Sequence, residues 1–362
     1  MHLSDDRRAL LWLSCGEITA QRVDRLIEKY GSPAEVRAAY GRESGPKFQE
    51  VADERLKKMH SEAAIDGELE KLEKKHVKLL FSDDPDYPPL LRTIDDFPYL
   101  LYYAGRLDCL YEPTVALVGT RNASSYGQGM ASMIARELAE CGVTVVSGLA
   151  RGIDKAAHGG ALDADGCTAG VLGSGINRPY PPENTPLLRQ IAGGKGVILS
   201  EYPLDADPAP FHFPHRNRII SGLSLATVFV EGAIRSGGML TVNTALTQGR
   251  EVFAVPGLVG TKGSEGPHAI LREGARIITC GRDILDDMNL NSRKVLPPPT
   301  EAEIPDPTQR EIAGLLRREP LTVEQISEQL KLDTADVLTQ LTIMEISGFV
   351  TREAGNLFLA SN

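Results

Sequence analysis

Cysteine is scarce and scattered: five residues, Cys15, Cys109, Cys141, Cys167 and Cys280, with no C-x-x-C pair in 362 positions. An odd, dispersed set argues against a disulfide framework or a zinc site, and points to thiols kept in a reducing compartment. Long apolar runs are also missing. Nothing approaches the ~20 residues of a membrane span, and the N-terminus MHLSDDRR lacks a signal-peptide core. The expectation is a cytoplasmic protein with no membrane partner. A positive balance is missing too. A net charge of −10 argues against a nucleic-acid coat spread over the whole surface. A local basic groove stays open, because salt confines each charge to about 8–10 Å.

What is present is the composition of a soluble globular chain, 42% hydrophobic and 24% charged, long enough for two or three domains. Residues 1–77 read as a helical domain. The stretch LLWLSCGEITAQRVDRLIEKYGSPAEV has helical apolar spacing broken at Cys15-Gly16 and Gly31-Ser32-Pro33, the pattern of a SAM-like or helix-hairpin-helix module. Residues 78–290 change rhythm. Short β-branched runs, TVALVG (114–119), VTVVSG (143–148), TAGVLG (168–173), GVILSE (196–201), ATVFVEG (226–232) and EVFAVPG (251–257), alternate with helical stretches. That alternation predicts an α/β, Rossmann-like, doubly wound and mainly parallel sheet. Residues 291–307 hold five prolines and read as a linker. Residues 308–362 predict a winged helix: three helices, with Thr322 and Thr334 as N-caps, then two strands around Ala354-Gly355-Asn356.

In an open parallel sheet, ligands bind beyond the carboxyl ends of the strands, where helix N-termini present free N–H groups. The loops expected at that edge are rich in small, hydroxyl and arginine residues. Candidate ligand residues are Gly119, Arg121, Asn122 and Ser124 after the first of these strands, and Ser147, Gly148 and Arg151 after the second. Gly173, Ser174, Gly175 and Arg178 follow the third, and Arg235, Ser236 and Gly237 follow ATVFVEG. Small residues allow close backbone approach, and arginines supply bidentate phosphate contacts. Together they predict an extended polyanion site.

A cationic cluster, FPHRNRIISG (213–222), joins them through Phe213, Arg216, Asn217 and Arg218. If Arg216 opens a helix, its side chain and that of Arg218 lie ~200° apart around the axis. One should reach the polyanion, with Arg216 preferred, and the other an internal carboxylate, Glu201 or Glu231. His212 and His215 lack a third ligand, and Pro214 between them argues against a helix presenting both to a metal. His158 reads as packing or as a cap at a helix C-terminus. No cofactor is expected. GTRNASSYG is not G-x-G-x-x-G, no acidic residue follows VTVVSG, and no G-x-x-x-x-G-K-[ST] occurs.

The ordered motifs VALVGTRNASSYG, VVSGLARGIDKAAHGGAL, VLGSGINRPYPPEN, LSEYP, FPHRNRIISGLS, RSGGMLT and GREVFAVPG resemble the DprA/Smf family, DNA-processing protein A. The resemblance covers about residues 80–285 closely and the flanking modules loosely. It implies a homodimeric, non-enzymatic protein that binds single-stranded DNA and loads the RecA recombinase in natural transformation. By motif, Arg121 corresponds to a DNA-contacting arginine, Phe213 to an aromatic beside the strand, and Arg216-Asn217-Arg218 to the family's RNR element. Three departures stand out: Pro210 replaces a lysine found in some members, His215 an arginine, and Gly238 a serine.

Two rival classes make demands that this sequence does not meet. A nucleotide-hydrolysing LOG-like enzyme would need two carboxylates where Asn243 and Thr244 stand, and an amide is no general base. A transcription factor would need cationic donors on its recognition helix. TADVLTQLTIMEISG has none, and residues 308–362 set five basic residues against eight acidic ones.

Overall fold

Uncharged, valine-rich runs have nowhere to go but between two helical layers, and that is where they lie. A computed structural model describes residues 3–290, 306–316, 321–346, 350–353 and 357–360. Most of the expected linker, 291–305, lies outside the described residues, as does the turn 354–356. The strands are β1 Lys78–Phe81, β2 Leu100–Gly105, β3 Thr114–Val118, β4 Thr144–Ser147, β5 Thr168–Leu172, β6 Gly196–Ser200, β7 Ala226–Phe229, β8 Glu251–Ala254 and β9 Arg276–Ile277. Their order in the sheet is β1-β2-β6-β5-β4-β3-β7-β8-β9. From β6 to β9 the pairing is parallel, with Val115 of β3 beside both Val145 and Ala226. β1 and β2 extend the sheet antiparallel, an extension the sequence pattern did not flag.

The order reverses between β3 and β7. The chain winds from β3 outward to β6, then returns to lay β7 on the other side of β3. Loops leaving those two strands therefore diverge and open a crevice at their carboxyl ends.

Five helices precede the sheet: α1 Asp5–Cys15, α2 Ala20–Tyr30, α3 Pro33–Ala39, α4 Glu50–Lys58 and α5 Glu62–Lys74. They share one apolar cluster with the β1–β2–β6 end of the sheet, in which Trp12, Leu56 and Ile65 meet Phe81, Tyr102 and Ile198. A part-buried Ser14–Tyr102 hydrogen bond of 2.6 Å ties the layers. Each buried large side chain contributes roughly 1.5–3 kcal/mol, and helices and sheet form a single compact unit ending at residue 293. Later helices are α6 Pro89–Arg92, α7 Ser125–Glu140, α8 Ile153–Asp163, α9 Thr185–Gln190, α10 His212–Gly222, α11 Gly237–Thr247, α12 Glu265–Arg272 and α13 Gly281–Asp287. α7, α8 and α13 pack against one face of the sheet, and α6, α10, α11 and α12 against the other.

The second unit, residues 294–362, has α14 Pro307–Leu316, α15 Val323–Leu330 and α16 Thr334–Ile346 over a three-stranded sheet. Its core joins Ile312, Ile326, Leu341 and Phe358. This is the winged-helix order. Thr322 caps α15 as expected, accepting from Gln325 N at 3.4 Å. Thr334 does not cap. It is the first residue of α16, and the Asp333 carbonyl accepts the first helical bond from Val337 N.

Candidate nucleic-acid interface

The crevice at the β3/β7 reversal is a cleft of about 840 Å³. Its walls are the loop after β3 (Gly119, Arg121, Asn122), the loop after β7 (Arg235, Ser236, Gly237) and one side of α10 (Phe213, Arg216, Asn217). All nine are among the residues expected from sequence. Arg121 and Arg235 are exposed and form no ion pair among the described residues. Lys262 adds a third exposed cation and Tyr180, 39% exposed, a ring beside Phe213. Sequence reasoning passed over both. Lys262 stands in a loop far along the chain, and only the RPYPPEN run hinted at Tyr180.

Helix α10 begins at His212, four residues earlier than a start at Arg216 would place it. Pro214 falls in the first turn, where the missing N–H has no intrahelical partner to lose, so it does not prevent helix formation. Arg216 and Arg218 are both buried, at 4% exposure each, yet occupy different surroundings. Arg216 reaches under the cleft floor. Its Nη1 donates to the Val171 carbonyl at 2.7 Å, and the charge acting on it most is Asp154, itself held by Gly148 N at 3.1 Å and Ala150 N at 3.3 Å. A Cβ on residue 148 would overlap this guanidinium, which explains the glycine there. Burial depresses the Arg216 pKa to about 10, against the pull of Asp154, so it stays charged at neutral pH. Arg218 is a strut: Nη2 meets Glu201 at 2.6 Å and Nε meets Asp96 at 3.0 Å. The internal partner is thus Glu201, not Glu231.

Phe213 packs its ring against Gly173, where a Cβ would come within 2.9 Å. Arg121 lies over the ring, its Cζ 5.3 Å from the centroid, a geometry that holds a guanidinium in place without neutralising it.

Glu231 does something the sequence did not suggest. Its carboxylate sits at the N-terminus of α7, accepting from Ser124 N at 3.1 Å and Ser124 Oγ at 2.8 Å. That is the place where a doubly wound fold sets a cofactor pyrophosphate, and here a protein carboxylate fills it. Ser124 is committed further as the cap of α7, accepting from Gly127 N at 3.1 Å, so its side chain is not a free phosphate donor. Ser236 likewise caps α11, accepting from Met239 N at 3.3 Å, while still lining the cleft.

Several other candidates lie below the surface. Ser147 Oγ donates to Leu117 O and Ser174 Oγ to Arg178 O, both at 2.7 Å. Gly173 and Gly175 are buried beside them, and Gly148 opens only onto a small hollow that it shares with Arg151. Arg151 is exposed and paired with Glu183; Arg178 is exposed and 3.8 Å from Asp207. Asn217 donates weakly to Gly237 O at 3.5 Å, bracing α10 against α11.

His158 is wholly buried in mid-helix and caps nothing. Thr168 gives its one proton to Val145 O, so His158 Nδ1–H donates to Thr168 at 2.7 Å. Burial, then the field of Arg216, lowers its pKa to about 3. His212 and His215 turn toward Glu17 and Glu201, each at 3.4 Å. Among the described residues no His, Cys, Asp or Glu group could hold a metal ion. Asn243 and Thr244 lie outside the cleft, in a separate hollow with Gln248.

Residues 78–289, which build this cleft, match the DNA recombination-mediator protein A family, and residues 296–356 match the DprA winged helix domain. The chain belongs to the DNA recombination-mediator protein A family. It is 38% identical to Protein Smf of Escherichia coli K12 over 299 residues, 81% of this chain and 80% of that one. Identity to DNA processing protein DprA of Streptococcus pneumoniae is 43% over 202 residues, 56% of this chain and 71% of the relative. The solved structure of DNA processing protein A from Streptococcus pneumoniae superposes with a TM-score of 0.68 at 34% identity, covering 79% of this chain and 99% of that one. A structure describing the single-stranded DNA binding mode of DNA processing protein A from Helicobacter pylori gives a TM-score of 0.54 at 29% identity, covering 59% and 95%. Family membership and the doubly wound sheet with a winged helix agree with the resemblance drawn from the motifs. Among the described residues no helix is long and apolar enough to cross a membrane.

Proposed function

We propose that this protein binds single-stranded DNA along the β3/β7 cleft and delivers it, as a homodimer in the cytoplasm, to the RecA recombinase during DNA processing. The observation that carries this reading is the cation set on the cleft. Arg121, Arg235 and Lys262 stand exposed around it without ion-pair partners among the described residues, and Arg216 lies charged beneath its floor. Contacts of this kind track a phosphate backbone and read no base edge. The family relative from Helicobacter pylori, whose structure concerns single-stranded DNA, supports the choice of ligand. Unstacked bases would lie against Tyr180 and Phe213, and such stacking tolerates any sequence.

The reading includes no hydrolytic step. The two carboxylates on the cleft are both engaged: Glu231 holds Ser124, and Asp154 accepts two backbone N–H groups. Neither is placed to activate water.

The test is a salt-titrated binding assay with single-stranded and double-stranded oligonucleotides of one length and several sequences. Single strands should bind more tightly at every salt concentration, with little dependence on sequence. Equal affinity for duplex would overturn the reading.

A further inference from the structure

A different side of α10 closes a second cavity, of about 320 Å³, against the N-terminal helices. Its apolar walls come from α1 (Leu10, Leu13), the turn before α2 (Ile18) and the start of β2 (Tyr99, Leu100). Tyr202 closes the end of β6, its ring stacked 3.8 Å from that of His212. A volume this size sits at the lower end of small-ligand pockets, about 300–1,000 Å³, and holds one ring with a short substituent.

Besides the hydroxyls of Ser14, Thr19, Tyr99 and Tyr202, the polar groups in this cavity are two carboxylates and two imidazoles, and no Lys or Arg lines it among the described residues. Glu17 is gripped from outside by Arg55 at 2.6 Å and faces His212 Nε2 at 3.4 Å. Burial opposes its charge, but the bonds from His212 and Arg55 outweigh burial and keep Glu17 ionised. Glu201 gives one oxygen to Arg218. Its other oxygen, Oε2, is buried and makes no hydrogen bond, with His215 Nδ1 facing it at 3.4 Å, and Nδ1 of His212, a residue only 2% exposed, makes none either. Buried polar atoms in folded proteins are almost always satisfied, so this pair marks a place prepared for a ligand's hydrogen bonds. Carboxylates and no cationic lining repel an anion, and the apolar walls give nothing to a sugar or a peptide backbone.

We propose that this cavity binds a small organic cation: one aromatic or aliphatic ring carrying a protonated amine or amidine. The ring lies among Leu13, Ile18 and Tyr99, where an aromatic face favours a cation. The charged nitrogen donates toward Glu201 Oε2 and Glu17. The site uses none of the residues assigned to DNA, so either assignment can fail alone.

The experiment titrates the full chain with benzamidine, benzyl alcohol and benzoate, following ligand-observed NMR and the melting temperature. Benzamidine should saturate with a dissociation constant of about 1 mM or tighter. Benzyl alcohol should bind about fivefold or more weakly and benzoate not at all, because the charged hydrogen bond is lost or reversed. Glu17→Gln should weaken benzamidine by about fivefold, and Ile18→Trp, which fills the cavity, should abolish its binding. A cooperative melting transition reports that each variant is folded, and Thr19→Trp at the exposed rim replaces Ile18→Trp if that one does not fold. Absence of benzamidine saturation, equal binding of benzoate, or binding unchanged in both variants would overturn the proposal.

Discussion

The two arginines of the RNR element should separate cleanly when each is replaced by methionine, which keeps length and removes charge. Arg218 holds Glu201 and Asp96, and its side chain is 5% exposed against 14% and 28% for the carboxylates. Losing one partner of a buried pair costs about 3–5 kcal/mol. Partial rehydration of Asp96 puts Arg218→Met near the lower end, about 3 kcal/mol, or roughly 5 °C in melting temperature for a unit of this size. Arg216 is the opposite case. Its pKa, depressed to about 10 by burial, means that the fold disfavours this charge by something of the order of 3 kcal/mol. Removing it relieves that penalty, and Asp154 keeps its bonds from Gly148 N and Ala150 N. Arg216→Met should therefore melt within about 2 °C of the wild type. A phosphate passing about 7 Å above a buried cation gains about 2 kcal/mol at an effective dielectric constant of 20, so the same change should weaken single-stranded DNA binding by tenfold or more. The assay is thermal melting beside fluorescence anisotropy with a labelled oligonucleotide, both below the melting range of either variant. Should Arg216→Met melt as low as Arg218→Met while binding DNA normally, the division of labour is wrong.

Two other outcomes can be measured with the same material. With four cations on the strand and a slope of about 0.7 each, affinity should fall ~50-fold between 50 and 200 mM salt, and only ~20-fold for Arg121→Ala. An unchanged slope would remove Arg121 from the interface. His158 is buried neutral with a pKa of about 3, below its unfolded value of 6.5, so its contribution is lost as pH falls below 6.5. Stability should drop by up to about 1.4 kcal/mol per pH unit there, and His158→Leu should flatten that fall. Asp154 titrates with the opposite sign, so the readout is the difference between wild type and variant; identical pH profiles would contradict the assignment.

Much of this architecture was open to a reader of the sequence, because hydrophobic period and turn residues are local signals. All six valine-rich runs are strands, and the loops that leave β3 and β7 do line the cleft. What stayed hidden depends on distant partners. Ser147 and Ser174 look like ligand donors in a strand-end loop, but their hydroxyls answer carbonyls of neighbouring segments. Glu231 reads as one acidic residue after a strand, and only the fold carries it to the first turn of α7, 107 residues back. Pro214 reads in sequence as a break before Arg216, whereas a proline in the first turn fits a helix. Helical spacing did separate Arg216 from Arg218, since an angle around an axis needs no knowledge of what lies on either side.

Beyond its first turn, helix α10 lacks a watered side. From Arg216 to Gly222 every residue is buried: the cleft takes one flank, the sheet another, and the Glu201–Asp96 carboxylates and N-terminal helices the rest. Ordinary surface helices drift in sequence through their solvent face while the buried stripe stays fixed. This one has no neutral positions through which to drift. A saturation mutagenesis scan should find it intolerant at consecutive sites rather than every third or fourth, a pattern that marks a segment wedged among neighbours on all sides.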